Sequence, residues 1–201
     1  MMDGAYIDGR WRPGTGTRFQ NHCPASGDVV WDGQGAGAEQ VIEAVASARK
    51  ALAHWAHLPQ GDRTRVLERY ADEFAKRTDE IAETVSRDMG KPLWESRSEA
   101  ATMKAKVTVS IAAQVERAGT RFSKTDFGSS HLTHRPHGVM AVFGPFNFPG
   151  HLPNGHIVPA LLAGNTCVFK PSELAPGVAR LMAEAFEAAG LPEGCLNIVH
   201  G

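Results

Sequence analysis

The last third of this sequence constrains its fold most, because strand-like and helix-like segments alternate there at regular spacing. Val139-Met140-Ala141-Val142-Phe143 is a short, wholly apolar run, the pattern of a strand covered on both faces of a parallel sheet. A helix is expected over 151–163, closed by Gly164, and Thr166 to Phe169 forms the next strand. Pro176 suits a first helical position, and that helix runs to Gly190 with Pro192 beyond it. Leu196 to Val199 is a third strand. The order β-α-β-α-β predicts an α/β fold, half of a doubly wound nucleotide-binding sheet with right-handed crossovers. The third strand is expected to leave an open, apolar sheet edge.

The first 120 residues read differently. Ala5-Tyr6-Ile7 and Arg10-Trp11-Arg12 flank Asp8-Gly9, a hairpin signal. A second turn at Pro24 to Gly27 precedes Val29-Val30-Trp31, so residues 5–33 are expected to be short strands lying on something larger. Four helices follow. Val41, Val45, Ala48, Leu52 and Trp55 share one helical face. Asp62 is placed to cap a second helix, whose stripe is Val66, Tyr70 and Phe74. Ile81, Val85 and Met89 mark a third that stops at Gly90, with Pro92 just beyond. Met103, Val107 and Ile111 mark a fourth over about 94–118. Amphipathic packing accounts for all these stripes. Arg121 to Arg135 is polar, is broken by Gly128-Ser129-Ser130, and predicts extended arms. The expected division is a hairpin and helical part over 1–120, an arm over 121–137, and the β-α-β-α-β unit over 138–201.

Composition narrows the partners. The 201 residues are 42% hydrophobic and 21% charged, with a formal net charge of -1 and no run of Lys and Arg. Neither nucleic acid nor an anionic membrane is an expected partner. Three cysteines, Cys23, Cys167 and Cys195, form no CxxC pair, which argues against a disulfide framework or a zinc ribbon. Nine scattered His give no metal site. Met1 to Tyr6 lacks the basic and apolar regions of a secretory signal. The apolar stretch around Ile157 to Ala163 contains Pro159 and is too short to span a bilayer. A reducing, cytoplasmic setting is the expectation.

Two loops carry candidate chemistry. Gly144-Pro145-Phe146-Asn147-Phe148-Pro149-Gly150 leaves the carboxyl end of the first strand, where open α/β sheets bind ligands. The Asn147 carboxamide offers N–H donors without net charge, which suits an oxyanion that develops only during reaction. Alternatively it is a turn residue bonding its own backbone. Lys170-Pro171-Ser172-Glu173 ends the next strand. A carboxylate there can accept hydrogen bonds from both ribose hydroxyls of a dinucleotide and repel a 2′-phosphate, favouring NAD over NADP. Lys170 can donate to the same ribose or lie near the phosphates. The competing reading is a solvated charge pair before a helix, with Ser172 as a turn or cap residue.

Taken together, Pro145-Phe146-Asn147-Phe148-Pro149, Pro159-Ala160-Leu161-Leu162-Ala163-Gly164-Asn165 and Lys170-Pro171-Ser172-Glu173 resemble the aldehyde dehydrogenase superfamily in motif, order and spacing. Ile7-Asp8-Gly9-Arg10-Trp11 and the helices to residue 118 resemble the start of that family, so the likeness covers nearly the whole chain. It implies the amino-terminal part of the aldehyde dehydrogenase fold, a partial Rossmann-like parallel sheet with helices and extended, oligomerisation-type arms. A homo-oligomer is implied as well. Arg135-Pro136-His137-Gly138 and the stretch Asn147 to Pro159, with Gly150-His151-Leu152-Pro153-Asn154-Gly155-His156 and Phe146 where the family commonly has Trp, resemble the succinylglutamate semialdehyde dehydrogenases of bacterial arginine degradation. That branch implies oxidation of N-succinyl-L-glutamate 5-semialdehyde to N-succinyl-L-glutamate with NAD.

By the same resemblance, Asn147 matches the oxyanion-stabilising Asn, Lys170 and Glu173 match adenosine-ribose contacts, and the main chain of Phe143, Gly144 and Pro145 borders the cofactor. His151 and Asn154 either face the small-molecule aldehyde or pack the helix start. The family's nucleophilic Cys and general-base Glu fall beyond the third strand, and none of Cys23, Cys167 or Cys195 stands where the nucleophile should. The chain is therefore expected to be an enzyme fragment, inactive and marginally stable alone. The alternatives are a non-catalytic nucleotide-binding or assembly module, or an aldehyde dehydrogenase of other substrate specificity.

Overall fold

The computed structural model describes residues 3–201. Met1 and Met2, at the head of the segment read for a secretory signal, lie outside the described residues. Among the described residues, nine strands and six helices run in the order β1 (Ala5–Ile7), β2 (Arg10–Arg12), β3 (Arg18–His22), β4 (Val29–Gln34), α1 (Ala38–Trp55), α2 (Gln60–Lys76), α3 (Thr78–Met89), α4 (Leu93–Ala118), β5 (Arg121–Thr125), β6 (Gly128–Leu132), β7 (Val139–Phe143), α5 (His151–Leu162), β8 (Thr166–Lys170), α6 (Gly177–Ala188) and β9 (Leu196–Val199).

The main sheet has five strands in the order β2-β1-β9-β8-β7. β7, β8 and β9 are parallel, as the alternating pattern requires, with Phe143 opposite Lys170 and Phe169 opposite Ile198. The amino-terminal hairpin joins them: β1 pairs antiparallel with β9, Ala5 opposite Val199. Its turn at Asp8-Gly9 has positive φ at both residues, 52° and 76°, the backbone that two-residue hairpins need. The last strand is thus covered by β1, and the parallel part of the sheet ends at β7 instead, with β2 as the opposite edge. This corrects two expectations at once, because Val139 to Phe143 is also not covered on both faces. Only Val142 is buried, and Phe143 is 75% exposed. Local sequence could not show that a strand formed 190 residues earlier returns to shield β9.

Strand alternation divides the core into two layers. Cys167, Phe169, Leu196, Ile198 and Tyr6 face one cluster with α2, α5 and α6. Val168, Val199, Ala5 and Ile7 face the other with Ala44 and Ala48 of α1. On α1 the buried positions are Gln40, Ala44, Ala48 and Trp55, whereas Val41 is 39% exposed. Of the predicted face, Ala48 and Trp55 are buried as read and Val45 and Leu52 are half-buried, and Val41 alone is exposed at the sheet margin. The α2 stripe of Val66, Tyr70 and Phe74 is buried as expected, but Pro59 is the N-cap and Asp62 lies inside the first turn, ion-paired with Arg65. Pro176 likewise caps α6 from outside. α3 ends on left-handed Gly90 as read. β5 and β6 form a separate antiparallel hairpin exposed along both strands. Among the described residues, no helix is long and apolar enough to cross a membrane.

Two core contacts make measurable predictions. Tyr70 stacks on Phe186 with centroids 3.6 Å apart, and its hydroxyl donates to Asn154 Oδ1 at 2.9 Å. Tyr70→Phe keeps the stack but leaves a buried acceptor short of a partner, so urea denaturation should show a loss of about 1–2 kcal/mol. His200, at the end of β9, lies between Trp11 and Trp31, with its Nδ1 unpartnered. Burial first, and Lys170 second, push its pKa down to about 4. Between that value and the unfolded value of about 6.5, the unfolded chain takes up a proton that the folded chain refuses. Stability present above the upper value therefore drains as pH falls through the window, by on the order of 2 kcal/mol at pH 5. Denaturation midpoints of His200→Phe should vary less between pH 7.5 and pH 5 than those of the unaltered protein.

Candidate functional site

The site builds from two adjacent strand ends. Because β7 and β8 are parallel and in register from Val139–Thr166 to Phe143–Lys170, the loops after Phe143 and Lys170 leave the same edge of the sheet. The Gly144 N–H donates to the Lys170 carbonyl at 2.8 Å, extending the ladder one step and tying the two loops together. A side chain at Gly144 would place its Cβ 2.8 Å from the Phe169 ring, so the chain can turn there only without one.

The turn bearing Asn147 is clamped from α4. Gly150 lies so close to Met103 that a Cβ would sit 2.4 Å from the sulfur. Glu99 Oε1 accepts the N–H groups of Gly150 and His151, each at 3.1 Å, at the start of α5. Glu99 Oε2 pairs with Lys91 Nζ at 2.7 Å, and that ammonium stands 3.9 Å from the Phe148 ring centroid. Asn147 is exposed and borders an open hollow of about 540 Å³ shared with Glu95, Ser98, Glu99, Thr102, Phe148, His151 and Leu152. His151 is half-buried in that wall, and burial, helped by Lys106, lowers its pKa. Asn154 stands elsewhere. It is 0% exposed, takes the Tyr70 hydroxyl on Oδ1 and gives Nδ2 to the Met103 carbonyl at 2.8 Å. It joins α5 to α2 and α4 in the core, and it offers no group to the hollow.

The second loop carries the charged pair. Lys170 Nζ meets Glu173 Oε2 at 2.9 Å, with both groups reachable by solvent. A hydrogen bond from the residue's own backbone N–H, and then Lys170, hold the Glu173 carboxyl below its usual pKa, so it is ionised at neutral pH. Ser172 Oγ accepts the Leu174 N–H at 3.2 Å, the turn role read for it, while the cap of α6 falls to Pro176. Beside this loop an apolar groove of about 340 Å³ runs over the sheet, lined by Val41, Val45, Val139, Phe143, Lys170 and Val199 among others. An anionic acceptor, a cation and an apolar slot at one strand edge fit a dinucleotide that presents ribose hydroxyls, phosphates and a flat base.

The cysteines do not enter the hollow around Asn147. All three are buried. Burial pushes Cys167 and Cys195 each up to about 12, which makes them inert thiols. In the β3–β4 turn, Cys23 is lowered by a hydrogen bond with Ser26, and it is absent from the lining of the hollow. Among the described residues, no group of three His, Cys, Asp or Glu could hold a metal ion.

The sequence reading missed Lys91 and Glu99. A signal was present: stepping the Met103-Val107 stripe back one helical turn lands on Glu99, a charge on a core-facing row. A buried charge there must be paired.

The sequence model described as "Aldehyde dehydrogenase family" matches residues 11–201. N-succinylglutamate 5-semialdehyde dehydrogenase of Burkholderia mallei (strain SAVP1) is 56% identical over 200 residues, covering 100% of this chain and 41% of the relative. The chain thus spans about 41% of the length of the curated relatives it matches. The structure of a putative methylmalonate-semialdehyde dehydrogenase from Sinorhizobium meliloti 1021, complexed with NAD, superposes with a TM-score of 0.93 at 31% identity, covering 100% of this chain and 42% of that one. NADP-dependent glyceraldehyde-3-phosphate dehydrogenase from Bacillus halodurans C-125, complexed with NADP, gives 0.92 at 29% identity, covering 100% of this chain and 44% of that one.

Proposed function

The chain belongs to the aldehyde dehydrogenase family, and from that premise we propose that it is the amino-terminal, nucleotide-binding part of an enzyme that oxidises N-succinyl-L-glutamate 5-semialdehyde to N-succinyl-L-glutamate with NAD. The observation that carries this reading is the shared edge. Asn147 and the Lys170-Glu173 pair follow parallel strands whose ends, Phe143 and Lys170, are direct neighbours. The substrate rests on the 56% identity to the Burkholderia enzyme of that name.

On this reading the residues divide the work. Glu173, ionised and accessible, accepts the two ribose hydroxyls, and its charge opposes a 2′-phosphate. Lys170 donates to the same sugar. The main chain of Phe143, Gly144 and Pro145 forms the wall against which the dinucleotide lies. Bound NAD would supply the two-electron acceptor for the oxidation. Asn147 Nδ2–H faces the aldehyde oxygen, where negative charge grows as a cysteine thiolate adds to the carbonyl. That thiolate comes from the longer enzyme, for the three cysteines of this chain are buried. The 201-residue chain alone is expected to turn over no aldehyde. His151, in the wall of the hollow, faces the substrate. The exposed β5–β6 hairpin, with Phe122 and Phe127 on its surface, serves as the oligomerisation arm of a cytoplasmic homo-oligomer, and residues 1–120 and 138–201 together build the nucleotide-binding domain.

Two substitutions in the enzyme expressed from its complete gene separate the roles. Asn147→Ala should lower kcat by about 10²–10³-fold with the KM for NAD unchanged. Glu173→Ala should raise the KM for NAD by roughly tenfold, and narrow the preference over NADP, with a smaller change in kcat. Steady-state kinetics with the succinylated semialdehyde checks both. An unaltered kcat in the first variant rejects the oxyanion role, and an unaltered KM in the second rejects the ribose role.

A further inference from the structure

The side chain of Asn147 makes no hydrogen bond to any described residue, so its direction is set by the backbone that carries it. That backbone is held chiefly by α4. The Glu99 side chain has 0% exposure. Its carboxylate takes the Gly150 and His151 N–H groups on one oxygen and the Lys91 ammonium on the other. Lys91 in turn covers the ring of Phe148, the residue next to Asn147. The charges also balance. An unpaired carboxylate beside the hollow would oppose an oxyanion forming there, whereas this one is matched by a full positive charge and by the positive end of α5.

We propose that Glu99, backed by Lys91, is the positioning group for Asn147: it fixes the turn through residues 148–151 so that the amide points into the hollow, and it does so without leaving net negative charge at the reacting oxygen. This assignment rests on the reading of Asn147 as the oxyanion donor. Glu99 touches no reacting atom. Its effect must therefore pass through the amide, which distinguishes it from a residue that only stabilises the fold.

A double-mutant cycle in the enzyme expressed from its complete gene tests this. Glu99→Gln keeps the shape and an acceptor for α5 but loses the charge that holds Lys91. In the otherwise unaltered enzyme it should lower kcat about tenfold, a coupling of ordinary size for residues linked through a backbone shift, with the KM for NAD unchanged. In an Asn147→Ala background it should change kcat by less than about twofold, because the group it orients is gone. Equal losses in both backgrounds, or no loss in the first, overturn the proposal. Should Asn147→Ala by itself leave kcat intact, the oxyanion reading has failed and the positioning role falls with it, a result separable from the other two. If Glu99→Gln does not fold, Lys91→Met, which leaves the α5 contacts in place, is carried through the same cycle under the same criteria.

Discussion

The parallel pairing of β7 with β8 is the constraint on which the rest of this structure depends. Five register pairs, from Val139–Thr166 to Phe143–Lys170, bring two chemically different loops to one edge. A parallel pair must be joined by a crossover, so α5 has to begin close to where β7 ends. The Asn147 turn is the short piece of chain that makes that reversal. β8 is buried from Thr166 to Phe169 and sends alternate side chains into the two core layers. The site edge is therefore anchored to a strand buried along four of its five residues while its loops stay accessible.

The two loops solve opposite electrostatic problems. Around Glu173 charge is left open to solvent, partnered by one lysine that shares its edge. Around Asn147 charge is buried and cancelled, with Glu99 spread over two backbone N–H groups and Lys91. Leaving such a carboxylate unpaired in the core would cost several kcal/mol, so the sequence that places it there must also supply Lys91 and the α5 start. A neutral amide beside a neutralised cluster suits charge that appears only during reaction. An exposed carboxylate suits hydroxyl groups that are present throughout.

Where local sequence misled, the cause lay in long-range pairing. Val139 to Phe143 is as apolar as a central strand, yet it is an edge. The order β2-β1-β9-β8-β7 instead gives the shielded place to β9, because the Ala5–Arg12 hairpin returns to cover it. Val41 and Val45 have helical spacing and apolar character, but small residues, Ala44 and Ala48, meet the sheet because α1 approaches it closely. Asn154 shares a helix start with His151, and one turn of rotation separates a residue bonded to Tyr70 in the core from one that borders the hollow.

Sequence by itself determined the kinds of element and their order. Periodicity, glycine and proline punctuation and turn chemistry are local, and the strands, helices and hairpins follow from them. It also determined which side chains of the two loops could carry chemistry, since a carboxamide and a carboxylate differ in what they can stabilise wherever they sit. Tertiary structure alone decided that Lys91 and Glu99 stand against the turn that carries Asn147, and that β7 would lie at a sheet edge. Those outcomes depend on contacts between segments distant along the chain, where burial and hydrogen bonding are settled by packing rather than by neighbouring residues.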